Sequence, residues 1–140
     1  MEFFADIPTS GPERVHSQRG SNGADAASLQ QLITLPRLPE LCASIDRLLS
    51  QQGPDLGEIY CLWGQFMVSR QAIRHGVRLA LLNCPHALAW TVAAHPAEQR
   101  VVIHCTIDDR EESPEFIDSI EQFVADWRHG LALHITARQR

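Results

Sequence analysis

The sequence contains no lysine, because all 12 of its basic residues are arginine, and they face 17 acidic residues. A coding sequence rich in G and C, which replaces lysine codons by arginine codons, is one explanation. The other is selection for bidentate recognition of anions, which arginine performs better than lysine. The net charge of −5 argues against a general nucleic-acid binder, because such proteins gain affinity chiefly by neutralising phosphates.

Targeting and metal-binding patterns are also missing. The first ten residues, MEFFADIPTS, have neither the basic region nor the apolar run of a signal peptide. No stretch approaches the roughly 20 apolar residues of a membrane span. The cysteines form no CxxC pair; they are Cys42, Cys61, Cys84 and Cys105. We therefore expect a cytoplasmic protein with reduced thiols, no membrane or nucleic-acid partner and no cofactor.

The composition divides the chain into a flexible N-terminal arm, a single α+β domain and a C-terminal tail, at residues 1–28, 29–130 and 131–140. The arm is assigned because residues 8–28 are rich in Ser, Gly, Pro and charge. Such a segment buries too little apolar surface to offset the entropy lost on ordering.

Two helices are predicted at the ends of the domain. The first runs from about Pro39 to Gln52, because Leu41, Cys42, Ile45, Leu48 and Leu49 recur at helical spacing. The second begins at Ser113 and Pro114, a capping residue followed by a residue suited to the first helical position. An apolar stripe from Phe116 to Trp127 continues it, and Gly130 is placed to end it.

Four strands are predicted between these helices, at residues 58–69, 76–82, 86–93 and 100–107. Gly64, within the first of them, is interpreted as a bulge. Short connections favour an antiparallel meander. The predicted fold is thus a four-stranded antiparallel sheet flanked by an N-terminal and a C-terminal helix, in the order α-β-β-β-β-α.

The last two strands have a preferred register. If paired residue numbers sum to 195, the large apolar side chains share one face; they are Leu88, Trp90, Val92, Ala94, Val101, Ile103, Cys105 and Ile107. A slip of one residue would mix them with small and polar side chains. This register separates His86 from His104 by about five residues, roughly 16 Å. Together with Cys84 and Cys105 these histidines would supply zinc ligands, but the distance predicts no such site.

The candidate ligand-binding residues are a basic cluster around one strand connection: Arg70, Arg74, His75 and Arg78. Arginines on a shared face can hold a phosphate or a carboxylate. The alternative is a solvated hairpin end that pairs with acids of the last helix. No motif of a known catalytic class occurs, which favours a protein that is not an enzyme.

The second face of the predicted sheet is apolar and is left without a helix to cover it. Patches of this kind usually mark contacts, and a two-fold dimer is the commonest solution. We therefore expect a non-catalytic accessory or regulatory protein that binds a protein partner, as a homodimer. The alternative is a small-molecule-binding domain, or a small enzyme, with an arginine-lined pocket for an anionic ligand.

Overall fold

A seven-stranded antiparallel sheet forms most of the fold, with its strands in the order β1-β7-β6-β5-β4-β3-β2. The structure, a computed structural model, describes residues 1–9, 24–108 and 112–138. The strands are β1 (Glu2–Pro8), β2 (Ile45–Gln51), β3 (Leu56–Cys61), β4 (Gly64–Ile73), β5 (Gly76–Leu82), β6 (Ala89–His95) and β7 (Arg100–Thr106).

Three helices lie on one face of this sheet, here called the inner face: α1 (Ala26–Leu32), α2 (Leu38–Leu41) and α3 (Pro114–Arg138). α1 contacts β5 and β6, whereas α3 contacts β1, β7 and α2. α1 begins with a capping box, in which the Ser28 amide donates to Asp25 Oδ1 over 2.8 Å and the Asp25 amide donates to Ser28 Oγ over 2.9 Å. No helix in the described ranges combines the length and apolarity needed to span a membrane.

Aromatic side chains fill the space between α3 and the sheet. Trp90 of β6 and Phe123 and Trp127 of α3 are each at most 1% exposed. The Trp90 ring meets Phe123 edge-on at 4.9 Å between centroids, and it lies 5.9 Å from Trp127. Such pairs stabilise beyond the area that they bury. The middle of α3 is thereby fixed against β6.

The predicted four-stranded meander with two flanking helices is wrong, and one cause is the segment 58–69. This segment forms β3 and the start of β4, joined by a turn at Leu62 and Trp63, with Cys61 paired to Gly64. Apolar residues occur at both odd and even positions of this segment because it contains two strands. Each strand buries alternate residues, and the buried positions are odd in one strand and even in the other. Gly64 has a φ of 115°, so it serves the turn, where glycine has no steric penalty.

The helix predicted over Pro39 to Gln52 is also wrong. α2 ends at Leu41, and β2 follows from Ile45. β2 pairs with β3 through two register shifts, one between Ile45 and Arg47 and one between Leu48 and Ser50. Each irregularity inserts a residue and interrupts the alternation of a regular strand. The apolar residues therefore recur three apart, a spacing that resembles helical periodicity.

Both ends of the chain extend regular structure beyond the predicted arm and tail boundaries. β1 pairs with β7 along its length, from Glu2 opposite Thr106 to Pro8 opposite Arg100. α3 passes Gly130 and runs to Arg138, with Leu131 and Ile135 buried. Residues 131–138 of the predicted tail are thus helical, while residues 10–23 of the predicted arm and residues 139–140 of the tail lie outside the described residues.

Several predictions are confirmed. β5 covers the strand predicted over 76–82. β6 and β7 pair with Trp90 opposite Cys105 and Val92 opposite Ile103, which is the register that sums to 195. α3 begins at Pro114, and Ser113 Oγ accepts from the Phe116 amide over 3.1 Å.

The outer face of the sheet is more polar than predicted. Alternate residues of the central strands do place small side chains there, such as Ala80 and Ala93. Charged and polar groups interrupt them, because Arg78 and His104 flank Thr91 on the same face. β1, which the sequence analysis did not identify, adds further carboxylates at the edge. The apolar surface on which the expected dimer depends is therefore discontinuous.

Gly130 contributes to the packing of α3 rather than to its end. A Cβ at this position would lie 2.0 Å from the Leu41 carbonyl oxygen of α2, which is far inside van der Waals contact. The absence of a side chain thus allows α3 to approach the backbone of α2.

We predict that Gly130→Ala lowers the free energy of unfolding by about 3 kcal/mol or more, because overpacking against backbone is not relieved by a rotamer change. Helix propensity alone would change stability in the opposite direction by about 1 kcal/mol. Chemical denaturation measures the effect, with Ala125→Gly at an exposed position of α3 as the control for propensity. Equal or greater stability of Gly130→Ala would contradict the assigned contact.

Candidate functional site

An apolar cavity of about 250 Å³ opens near the N-terminal end of α3. Its walls come from the β3–β4 turn, strands β4 and β5, the β5–β6 connection and the first turns of α3. The lining residues are Trp63, Phe66, Leu81, Cys84, Pro85, His86 and Phe116. A concave, mainly aromatic and aliphatic surface with few polar groups is typical of small-molecule sites.

Trp63 ties the β3–β4 turn to α3 and forms one wall. Its indole Nε1 donates to Ser119 Oγ over 2.8 Å, and its ring lies 4.9 Å from that of Phe123. Ser119 Oγ in turn donates to the Phe116 carbonyl over 2.6 Å. A hydrogen bond to α3 thus holds this wall of the cavity in place.

The β5–β6 connection has an uncommon backbone conformation at both of its ends. Asn83 has a φ of 63° and Ala87 a φ of 53°. Asparagine adopts this region more readily than alanine, which lacks a side chain that can hydrogen-bond locally. Strain of this kind persists only where the surroundings enforce it, and it is concentrated at functional sites. The connection carries Cys84, Pro85 and His86 into the cavity wall.

His86 provides the polar group of this wall. Its Nδ1 lies 2.9 Å from Glu112 Oε2, and the ring stacks on Phe116 at 4.1 Å between centroids. The His86 side chain is 30% exposed and that of Glu112 only 6%. A buried carboxylate that contacts one ring nitrogen fixes the orientation of the imidazole. His86 is thereby presented at the edge of an apolar space.

Asp108 completes a group of three potential metal ligands with His86 and Glu112. One ligand atom from each of the three lies within 4.8 Å of the others. The Asp108 amide donates to the His86 carbonyl over 2.9 Å. This backbone bond extends the β6–β7 pairing past the strand ends and holds the two residues side by side.

The cysteines differ in accessibility. All four are free thiols. Burial raises the pKa of Cys42 to about 12 and that of Cys105 to about 12, so neither forms thiolate near neutral pH. Burial also raises the pKa of Cys61, whereas Cys84 is half-buried and lines the cavity. Among the described contacts, no hydrogen bond joins Cys84 to His86.

The four basic residues predicted as a site are separated in the structure. Arg70 lies on the inner face, paired with Leu79, whereas Arg78 pairs with Gln71 on the outer face. Arg74 and His75 occupy the β4–β5 turn and are exposed. The cavity is lined by other residues. A role of the four in binding an anion stays a prediction, but they do not share one surface.

Arg70 is bound to backbone instead. Its Nε donates to the Ile33 carbonyl over 2.7 Å and one terminal nitrogen donates to the Gln30 carbonyl over 2.7 Å. Its side chain is 12% exposed. Both carbonyls belong to the C-terminal end of α1, where such groups lack helical partners. Arg70 thus joins α1 to β4.

Comparison with solved structures shows what the fold resembles. XoxI from Bacillus cereus matches with a TM-score of 0.60 at 14% identity, over 100% of this chain and 97% of that one. An uncharacterised protein from Bacillus thuringiensis matches with a TM-score of 0.61 at 13% identity, over 97% and 99%. A START superfamily protein from Mycobacterium smegmatis matches with a TM-score of 0.55 at 8% identity, over 98% and 97%.

The chain has a START-like fold. These low identities establish the fold alone, and they again exclude the predicted four-stranded architecture, since the match spans nearly the whole of both chains. Comparisons with protein-family models and with curated proteins give no match. The cavity of this START-like fold therefore has to be interpreted from its own residues.

Asp108 and Glu112 were not predicted as site residues, although the predicted register held a signal for one of them. A sum of 195 places Asp108 opposite Ala87, directly beside His86. The zinc hypothesis considered His86 with His104 and two cysteines, whereas the structure pairs His104 Nε2 with Glu2 Oε1 at 2.9 Å. Glu112 could not be placed, because it reaches His86 from a segment outside the sheet.

We predict that Arg70→Ala lowers the free energy of unfolding by about 2–4 kcal/mol, because it removes charged hydrogen bonds and leaves buried carbonyls without a donor. Arg78→Ala, at an exposed position of the neighbouring strand β5, is the matched control and should change stability by no more than about 0.5 kcal/mol. Urea denaturation of both variants measures the difference. Similar effects of the two substitutions would contradict the assigned role of Arg70.

Proposed function

We propose that this protein binds a small, largely apolar molecule in the cavity beside α3, with His86 contacting the one polar group of that molecule. The observation that carries the proposal is the cavity itself, about 250 Å³ in volume and walled by aromatic and aliphatic side chains around one imidazole. The likeness to a START superfamily protein supports it only at the level of fold.

The size of the cavity limits the ligand. A dry cavity of about 150 Å³ holds one benzene molecule, so about 250 Å³ has room for one substituted aromatic ring or an aliphatic molecule of similar volume. Trp90, Phe123 and Trp127 fill the adjoining interior and prevent a longer molecule from extending under α3. The ligand class is therefore a compact ring rather than a long acyl chain.

The chemistry of the walls limits the ligand further. The aromatic side chains of Trp63, Phe66 and Phe116 line the cavity and favour a flat apolar group. The His86 imidazole, held by Glu112, can donate or accept one hydrogen bond through its second nitrogen, depending on its tautomer. A phenol or an aromatic carboxylate has both features.

A role as an accessory protein that acts through a protein partner, or as a homodimer, stays a prediction. It rested on a continuous apolar outer face, and charged side chains interrupt that face. The pocket of the alternative hypothesis was expected to be lined by arginine, whereas the cavity presents a histidine. The small-molecule proposal thus agrees with that alternative that a ligand is bound, but it assigns the binding to the cavity residues instead of the arginines.

We predict that para-cresol or benzoate, used as probes, binds the full-length protein with one-to-one stoichiometry in calorimetric titrations. Leu81→Phe should weaken binding at least about tenfold, because the added ring occupies the cavity. A tenfold change in Kd corresponds to about 1.4 kcal/mol. Leu82→Phe is the matched control, since Leu82 is the adjacent, partly exposed residue of β5 on the outer face. Absence of binding, or equal weakening by the two substitutions, would refute the proposal.

We also predict that one thiol, that of Cys84, reacts rapidly with a disulfide reagent in the native protein at pH 8. Cys42 and Cys105 should react only on unfolding, because a pKa of about 12 leaves almost no thiolate. Cys84→Ser should remove the fast phase, and Cys61→Ser should retain it. A bound probe should slow the reaction of Cys84, and a rate that is unaffected by a saturating probe would place the probe outside the cavity.

A further inference from the structure

The residues His86, Asp108 and Glu112 form a cluster at the edge of the cavity whose chemistry differs from that of the apolar walls. Two carboxylates and one imidazole bring their ligand atoms within 4.8 Å of one another. His86 Nδ1 and Glu112 Oε2 are already 2.9 Å apart. We propose that this cluster is a binding site for a divalent transition-metal ion.

The geometry requires only a small adjustment. Bonds of about 2.0–2.2 Å to nitrogen and oxygen place the ligands of one ion at most about 4.4 Å apart. The largest separation in the cluster is within 4.8 Å, so a shift of a few tenths of an ångström closes it. A rotation of one carboxylate suffices for such a shift, and the backbone can stay in place.

The site is held from both sides before any ion enters. The amide of Asp108 donates to the carbonyl of His86 over 2.9 Å, which fixes the spacing of two ligands. The His86 ring stacks on Phe116, which restricts rotation of the imidazole. Glu112 precedes α3, whose first turn is capped by Ser113. A prepared arrangement of this kind reduces the entropy lost on binding.

Charge favours an ion at this position. Two carboxylates close together repel each other, and Glu112 is 6% exposed, so water screens its charge poorly. Burying a carboxylate is unfavourable unless it is paired or coordinates a metal. A divalent cation would offset both negative charges.

The ligand types indicate the class of metal. Carboxylates suit Mn²⁺, Mg²⁺ and Ca²⁺, whereas imidazole suits Zn²⁺, Fe²⁺, Ni²⁺ and Cu²⁺. The mixed set favours Mn²⁺, Fe²⁺ or Zn²⁺ over ions that take oxygen ligands alone. Three protein ligands leave positions open, as in catalytic rather than structural sites. Since His86 also lines the cavity, an ion held at Nδ1 lies beside the space proposed for the organic ligand.

The inference stands independently of the proposed function, because metal binding can be measured without any organic ligand. We choose Mn²⁺ as the probe, since thiolates bind softer metals in preference to it and Cys84 therefore does not contribute. Full-length, tag-free protein is stripped with a chelator and titrated with Mn²⁺ by calorimetry and by electron paramagnetic resonance. We expect one ion per chain.

Asp108→Asn and His86→Ala should each weaken Mn²⁺ binding more than about 100-fold, since even the loss of an outer-sphere partner costs a metal site about 10–100-fold. Asp108→Asn is decisive, because Asp108 is half-buried and the substitution keeps its shape. Circular dichroism confirms that each variant is folded.

Two control variants separate the site from general affinity. His104→Ala removes another histidine–glutamate pair, His104 and Glu2, on the outer face, and Cys84→Ser removes the neighbouring thiol. Both should bind Mn²⁺ as the unmodified chain does. No binding by the unmodified chain, unchanged binding by folded Asp108→Asn, or equal weakening by His104→Ala would overturn the proposal. If the chain binds Mn²⁺ but neither para-cresol nor benzoate, the metal-site proposal stands and only the proposed function is refuted.

Discussion

The contact between α3 and the inner face of the sheet determines where this molecule has free space. Trp90 of β6 packs against Phe123 and Trp127 of α3, and all three side chains are buried. These rings fill the interior between α3 and β6. In the C-terminal half of α3, Gly130 permits close approach to the backbone of Leu41. The cavity lies at the N-terminal end of the helix, on the other side of the aromatic cluster.

The polar groups of the cavity depend on the β6–β7 pairing. Residues that precede β6 and residues that follow β7 meet at the same end of an antiparallel pair, which brings His86 beside Asp108. α3 starts shortly afterwards, so that Glu112 approaches the same point from the helix side. The three ionisable groups therefore come from one short stretch of the chain, since His86 and Glu112 are 26 residues apart. The apolar walls, in contrast, come from distant turns of the sheet.

The sequence predicted the parts of the fold that have regular periodicity. The register of β6 and β7 followed from burial alone, since only one parity separates large apolar side chains from small and polar ones. The start of α3 followed from Ser113 and Pro114. β2 was taken for a helix because its bulges space Ile45 and Leu48 three residues apart. β3 and β4 were merged because a two-residue turn at Leu62 and Trp63 carries no asparagine or aspartate.

The candidate site was harder to predict because its residues come from connections rather than from periodic elements. A search for clusters in the sequence selects neighbours, and it selected the arginines around the β4–β5 turn. Arg78 pairs with Gln71, the neighbour of Arg70 in β4. Because adjacent residues of a strand point to opposite faces, Arg70 and Arg78 lie on opposite sides of the sheet. The cavity residues Trp63, His86 and Phe116 are far apart in sequence and are joined only by tertiary packing. The spacing of these residues along the chain therefore does not predict that they meet.

The absence of lysine acquires a structural meaning at two positions. Arg70 donates from Nε and from a terminal nitrogen to two different carbonyls of the α1 region. This is a use of the planar, multi-donor guanidinium, which an ammonium group cannot reproduce with the same geometry. Arg100 likewise donates from Nε to Glu98 and from a terminal nitrogen to Asp6, a recognition of carboxylates for which arginine is better suited than lysine. These contacts give a structural reason for arginine at positions 70 and 100. For the arginines that make no such contact, a bias in codon usage stays one explanation.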